Sequence, residues 1–212
     1  MEPSLRHTIA SHLRQDRDRG LFAAWGRSSV IDEHVGGPVL PGSTVRALHR
    51  LAGMDAGSAS EGNAGLLHSY GYLLSTVETP FGLKRARWLD GALAAALGAE
   101  AAHFVPDGGR GTLLSRVTDA ASSVLGSGRQ GAARLAERTE AQPGWRARTV
   151  LARTSGSGPA ALAYALDTGA GERFITLFPV AEPDAVLAEI DAGPARLRFN
   201  ARIPDLAENA PI

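Results

Sequence analysis

The sequence contains no cysteine, a single lysine and no excess of charge of either sign. It has 22 basic and 22 acidic side chains in 212 residues. The lack of cysteine excludes disulfides, thiolate nucleophiles and zinc sites built on thiolate ligands. Because the basic excess is missing, the chain lacks the positive field that is typical of nucleic-acid binders. We therefore expect no nucleic-acid partner.

Long apolar runs are missing as well. No stretch approaches the roughly 20 apolar residues that a membrane-spanning helix requires. The N-terminal residues are charged and amphipathic, without the apolar core of a signal peptide. We expect a cytoplasmic protein with no membrane partner.

The short motifs of several enzyme classes are also absent. There is no GxGxxG fingerprint, no Gly-Lys-Ser/Thr phosphate loop, no GxSxG elbow and no HExxH zinc motif. These absences argue against nucleotide-dependent enzymes, α/β-hydrolases and zinc hydrolases, and we expect no cofactor and no metal. Acid/base chemistry on an organic substrate, or binding alone, fits the sequence better.

The pattern of apolar residues predicts one α+β domain over residues 1–212. A helical part, residues 1–142, is expected to pack on a mainly antiparallel sheet in residues 143–212. The predicted helices are Pro3–Arg17, Ser43–Leu51, Leu83–Leu97, Thr112–Leu125, Gln130–Glu140 and Pro183–Ile190. The predicted strands are Arg146–Thr154, Ala160–Asp167, Arg173–Val180 and Arg196–Ile203, with a hairpin turn at 168–171.

Residues 68–88 combine polar, charged and aromatic side chains in a chain otherwise rich in Ala, Gly, Leu and Arg. Tyr70–Thr79 favours a strand, although Leu66–Leu74 also fits a buried helix. A turn over Thr79–Gly82 follows, because proline disfavours helix at the residue before it and glycine permits a positive φ.

Glu78 is the first candidate for acid/base chemistry. It ends an apolar and aromatic run, which predicts that its carboxyl group is partly withdrawn from water. Desolvation raises the pKa of a carboxyl group towards neutrality, where it can serve as a general base or acid. A plain strand-end glutamate that pairs with Lys84 or Arg85 fits the same position.

His68 precedes Glu78 by ten residues. That separation corresponds to ~33 Å along a strand or ~15 Å along a helix. The two side chains therefore do not form a dyad on one regular element. We expect His68 to act alone or to stack near Tyr72, which could wall an aromatic pocket.

Three basic residues are candidates for substrate binding. Lys84 is the only lysine, and only an amine can form a Schiff base; the alternative is a solvated lysine on a helix face. Arg46 and Arg50 lie at helical spacing beside glycine-rich loops. Such a face can bind a carboxylate through the guanidinium fork, or it can simply face solvent.

Residues 62–88, GNAGLLHSYGYLLSTVETPFGLKRARW, resemble the actinobacterial Pictet–Spenglerases that build β-carbolines, the marinacarboline-forming type. The resemblance is carried chiefly by His68 and Glu78, and the C-terminal third adds nothing to it. It implies a homodimer that condenses L-tryptophan with an oxo-aldehyde by imine formation, ring closure onto the indole and loss of the indole proton. It further implies Glu78 as the acid/base, His68 as its support, and an arginine for the substrate carboxylate, for which position alone favours Arg46 or Arg50.

Three functions are therefore open. The first is an acid/base cyclase centred on Glu78, with an aromatic amino acid and an aldehyde as its small-molecule substrates. The second is a Schiff-base lyase or aldolase that uses Lys84. The third is a non-catalytic small-molecule-binding protein.

Overall fold

The computed structural model describes residues 3–55, 57–126, 133–154 and 158–203. Within these ranges the chain combines helices with antiparallel sheets, which makes it a mixed α+β protein. No helix among the described residues is both long and apolar enough to cross a bilayer.

The helical elements are short apart from the first and the fifth α-helix. In chain order they are α1 (Pro3–Asp18), a 3-10 turn (Leu21–Ala24), α2 (Gly42–Leu51), a π-helical turn (Leu66–Gly71), α3 (Ala86–Leu89), α4 (Ala92–Ala96), α5 (Leu113–Leu125) and α6 (Pro183–Ala192).

The strands form one large sheet and three small ones. The four long strands are β7 (Ala133–Gln142), β8 (Trp145–Arg153), β9 (Ala160–Asp167) and β10 (Glu172–Val180), in the antiparallel order β10-β9-β8-β7. The short strands are β1 (Arg27–Ser29), β2 (Ile31–Asp32), β3 (Gly37–Pro38), β4 (Glu61–Asn63), β5 (Glu78–Thr79), β6 (Gly82–Leu83) and β11 (Ala201–Arg202). They pair as β11-β1-β4, β2-β3 and β5-β6.

The large sheet is covered on both faces. One core cluster packs α5 against Val150 and Ala163. A second cluster holds Leu162 and Tyr164 on the other face, beneath side chains of α6. Strand β9 is buried along nearly its whole length, which explains its continuous apolar sequence.

Several predicted elements are confirmed with small shifts of their ends. These are α1, α2, α5, α6, the strands β8, β9 and β10, and the turn over residues 79–82. Helix α5 begins where expected because the Thr112 side chain accepts a hydrogen bond from the Ser115 amide, the usual N-cap interaction.

The predicted helix Gln130–Glu140 is wrong over its described part, residues 133–140, which belong to strand β7. Its alanines, arginines and glutamates have good helix propensity, but nine residue pairs join β7 to β8. Sheet pairing overrides such local preferences. The sheet therefore begins at Ala133, inside the part predicted to be helical; residues 130–132 lie outside the described ranges.

Three other predictions need correction. Tyr70–Thr79 is not a strand apart from Glu78–Thr79. The buried helix Leu66–Leu74, which was its alternative, is present as a π-helical turn over Leu66–Gly71. Helix Leu83–Leu97 is divided into α3 and α4 at Gly91, whose φ is 77°. The strand expected at Arg196–Ile203 is reduced to Ala201–Arg202 because Phe199 and Asn200 have left-handed backbone.

Candidate functional site

A cavity of about 580 Å³ lies between β10, helix α6, residues 196–200 and the two hairpins β2–β3 and β5–β6. This volume lies within the range that holds small organic ligands. Its wall combines aromatic rings with several charged side chains. In the described residues no group of three or more His, Asp and Glu side chains is placed to hold a metal ion.

Among the described residues that line the cavity, Arg87 is the cation without a carboxylate partner, since Lys84, Arg196 and Arg198 are paired. Arg87 forms no ion pair with a carboxylate among the described residues. Its guanidinium donates one hydrogen bond there, to Thr176 Oγ1 at 3.0 Å. The side chain lines the cavity. Burial lowers the pKa of Arg87 below its ordinary value, but arginine remains charged near neutral pH. The other N–H donors of the guanidinium are available to an anion in the cavity.

Aromatic rings surround the Arg87 guanidinium. Its Cζ atom lies 5.0 Å from the Tyr72 ring centroid, 5.1 Å from that of Phe178 and 5.7 Å from that of Trp88. These cation–π contacts hold the guanidinium in place without neutralising its charge. The arrangement therefore combines a fixed orientation with an unused positive charge.

His68 lies in the same wall and is only 2% exposed. Its Nε2 atom is 2.8 Å from Ser28 Oγ, whereas Nδ1 has no hydrogen-bond partner of normal geometry among the described residues. Burial lowers the pKa of His68 well below its ordinary value; the charges of Arg87 and Lys84 act in the same direction, and the backbone of Ile175 opposes them. The imidazole is therefore neutral at pH 7, and the same burial and charges make it a weak base.

Tyr72 lies at the centre of this group. Its ring stacks on the His68 ring with centroids 4.8 Å apart, and Lys84 Nζ lies 5.8 Å from its centroid. Burial raises the pKa of Tyr72, which keeps the phenol protonated. The predicted proximity of His68 to Tyr72 is present, and Lys84 belongs to the same group.

Lys84 is paired with Asp32 at the cavity wall. The Nζ–Oδ2 distance is 2.5 Å, and the two side chains are 15% and 5% exposed. Although burial acts to raise it, the pKa of Asp32 is lowered by Lys84 and by the backbone amides of His34 and Val35. Lys84 is thus largely buried and paired, and it is not the solvated helix-face lysine that was one of its two expected roles.

A second buried ion pair closes another part of the wall. Arg198 is bonded to Glu140, with Nε 2.9 Å from Oε2, and both side chains are largely buried. The left-handed backbone of Phe199 and Asn200 follows directly, with φ values of 55° and 64°. This tight turn brings both residues to the cavity wall, and it explains why the chain leaves extended conformation here.

Glu78 lies outside the cavity. It is exposed on the β5–β6 hairpin and does not line the cavity. The expectation that its carboxyl group is withdrawn from water is therefore wrong. The apolar run before it is buried as a π-helical turn, and the chain reaches the surface by Thr76.

Arg46 and Arg50 are exposed on α2 and do not line the cavity either. Helix α2 buries Val45, Leu48 and His49, so these arginines form its solvent face. Of the six predicted site residues the structure brings together His68, Tyr72 and Lys84, and it leaves Glu78, Arg46 and Arg50 outside.

Sequence reasoning missed Asp32, Arg87 and Arg198 as parts of the site. Arg87 had a detectable signal, because it follows Lys84 by three residues and precedes a tryptophan. Asp32 and Arg198 had none, since their roles depend on contacts with distant parts of the chain. Comparison of the chain with protein-family models, curated proteins and solved structures gave no match.

Proposed function

We propose that the cavity is the active site of an enzyme that condenses an aromatic amino acid, tryptophan-like, with an aldehyde in a Pictet–Spengler-type cyclisation. The observation that carries this proposal is Arg87, a charged guanidinium with unused donors beside a neutral His68 in a cavity of ligand size. The resemblance of residues 62–88 to β-carboline-forming enzymes supplies the reaction type.

Arg87 is suited to the carboxylate of the amino acid. A guanidinium binds a carboxylate through two parallel N–H···O bonds, which fixes the orientation of the ligand as well as its charge. Lys84 and Arg198 already have carboxylate partners, at Asp32 and Glu140. An incoming carboxylate therefore gains most by binding to Arg87.

The aromatic lining is suited to the indole. Tyr72 and Phe178 contribute rings to the wall 5.0 and 5.1 Å from the Arg87 Cζ atom, and the Phe199 ring lies 5.4 Å from that of Phe178. Ring–ring contacts of this kind favour a flat aromatic ligand over an aliphatic one. Phe81, which lines the same cavity, is 76% exposed and marks its mouth.

In this proposal His68 is the base that removes the proton from the indole carbon. The neutral amine attacks the aldehyde carbon to give a carbinolamine, which takes up a proton from solvent and loses water to give an iminium ion. An indole carbon then bonds to the iminium carbon. The proton on that indole carbon is strongly acidic in the resulting cation, so the weakly basic imidazole accepts it as the ring regains aromaticity. The resemblance assigns this step to Glu78, but the exposed position of Glu78 outside the cavity favours His68.

The Schiff-base alternative is less well supported. Lys84 Nζ is already bound by the Asp32 carboxylate, 2.5 Å away, so the amine is not free to attack a carbonyl carbon. Borohydride trapping with a carbonyl substrate distinguishes the two mechanisms. A mass increase at Lys84 supports the lyase or aldolase, whereas its absence leaves the acid/base cyclase.

The test is turnover of L-tryptophan with an aldehyde, followed by mass spectrometry of the cyclised product. We expect His68→Gln to lose at least 100-fold in turnover, within the range that removal of an acid/base group costs, and to retain tryptophan binding. His49→Gln is the matched control, because His49 is also buried and hydrogen-bonded but does not line the cavity.

Glu78→Gln completes the series. Normal turnover in this variant agrees with His68 as the base, and loss of turnover in Glu78→Gln alone reverses the assignment. Tryptophan binding without turnover in the wild type points instead to a binding protein. The homodimer implied by the resemblance is a separate prediction, and analytical ultracentrifugation would test it by measuring the mass of the protein in solution.

A further inference from the structure

The mouth of the cavity is formed by two hairpins from separate parts of the chain. One contains β2 and β3, residues 31–38, and the other contains β5 and β6, residues 78–83. Their outer ends touch through the rings of His34 and Phe81, whose centroids are 5.0 Å apart. This outer contact is exposed, since Phe81 is 76% accessible.

The inner ends of the hairpins are joined by Asp32 and Lys84. Asp32 Oδ1 accepts hydrogen bonds from the amides of His34 and Val35, at 3.0 and 3.2 Å, and so fixes the turn of its own hairpin. Its Oδ2 atom is bound by Lys84, which follows β6 directly. One carboxylate therefore holds both hairpins.

Lys84 also connects this junction to Arg87. It lies three residues before Arg87, and both cations lie against the Tyr72 ring, at 5.8 and 5.0 Å from its centroid. Movement of Lys84 away from Asp32 would displace the short segment that leads into Arg87. The position of the carboxylate-binding group thus depends on the ion pair.

We propose that Lys84 is a positioning residue: its ion pair with Asp32 clamps the two hairpins at the cavity mouth and fixes Arg87 for substrate binding. The second half of this statement rests on the proposed function, whereas the clamp itself does not. The clamp also gives a reason for the single lysine of the chain. Because Oδ1 is used by two backbone amides, a compact single-point donor fits better than a guanidinium, which prefers both oxygens.

The absence of cysteine permits a direct chemical test. Lys84→Cys introduces the only thiol of the chain, and 2-bromoethylamine converts it into a close analogue of the lysine side chain. Iodoacetamide gives an uncharged adduct of similar size as the matched control. Alkylation in mild denaturant followed by refolding gives access to the partly buried position.

Hydrogen exchange of backbone amides is the first readout and needs no substrate. We expect Lys84→Cys to raise exchange on the order of tenfold or more in residues 31–38 and 78–83 together, with β8 and β9 unchanged. Aminoethylation should restore protection in both hairpins, and carbamidomethylation should not. Asp32→Asn, which keeps the acceptor for the two amides but loses the charge, should raise exchange in the same two segments.

Tryptophan affinity is the second readout. We expect Lys84→Cys to weaken it at least tenfold, and aminoethylation to restore it. An exchange increase in one hairpin only, or equal recovery with both reagents, overturns the clamp. If aminoethylation restores protection from exchange but not tryptophan affinity, the link to Arg87 is overturned. Wild-type protein that binds no tryptophan overturns the proposed function, and the exchange experiment then still decides whether the clamp exists.

Discussion

Gly62 in β4 is a position where the structure leaves no room for a side chain. A Cβ atom at this position would overlap the His49 ring at Cε1 and Nε2. His49 cannot move freely, because it is 3% exposed and its Nδ1 atom is 2.8 Å from the Val45 carbonyl. Gly62 pairs with Ser28 of β1 on its other side.

Gly62→Ala should therefore destabilise the fold by about 2 to 4 kcal/mol. Overpacking of a core contributes roughly 1 to 3 kcal/mol, and loss of the Val45–His49 hydrogen bond contributes about 1 kcal/mol. In a chain of this length the melting temperature should fall by roughly 4 to 16 °C. Urea unfolding followed by circular dichroism measures the change.

The same substitution in a His49→Ala background isolates the cause. With the imidazole removed, Gly62→Ala should cost less than about 1 kcal/mol, because only the ring stands in the way of the new methyl group. An equal cost in both backgrounds would refute the steric explanation. The loss of stability would then come from the backbone of β4 and not from contact with the His49 ring.

Two further predictions concern buried charges. Asp16 is fully buried and accepts hydrogen bonds from Tyr70 and Thr112; burial raises its pKa although both bonds lower it. An acid whose pKa is raised by folding stabilises the protein at low pH and loses this contribution as the pH rises through the folded value. The free energy of unfolding of the wild type should therefore fall as the pH rises above about 4. This fall should be smaller in Asp16→Asn, and urea titrations at several pH values measure the difference. Arg116 is 4% exposed and donates to five backbone carbonyls in residues 105–111; Arg116→Met should destabilise the fold by about 3 to 5 kcal/mol and raise amide exchange in that loop, whereas an effect below 1 kcal/mol would contradict a structural role.

Sequence patterns predicted elements whose local preference and tertiary environment agree. Helices α1 and α5 show clear apolar stripes, and the Thr112 cap fixes the start of α5. The sequence of β7 shows the limit of such patterns, because its residues favour a helix and become a strand only through pairing with β8. Phe199 and Asn200 have left-handed backbone although neither is a glycine, so the sequence does not signal the turn that they form.

The candidate site was predictable only where its residues are close in sequence. His68, Tyr72 and Lys84 lie within 17 positions and were found as one group. Asp32 and Arg198 reach the cavity from opposite ends of the chain, so no local pattern connects them with it. Glu78 was misplaced because an apolar run indicates burial of the run itself and not of the residue that follows it.

We expect Arg87 to bind the carboxylate of an aromatic amino acid. Isothermal titration of the wild type with L-tryptophan and with tryptamine, which lacks the carboxylate, tests it directly. A charge-assisted hydrogen bond contributes about 1.5 to 3 kcal/mol, so the wild type should prefer tryptophan by about 10- to 100-fold. Arg87→Met should abolish this preference, whereas Arg85→Met should keep it, because Arg85 is exposed and does not line the cavity. Equal affinities for the two ligands in the wild type, or an unchanged preference in Arg87→Met, would show that Arg87 does not bind the carboxylate.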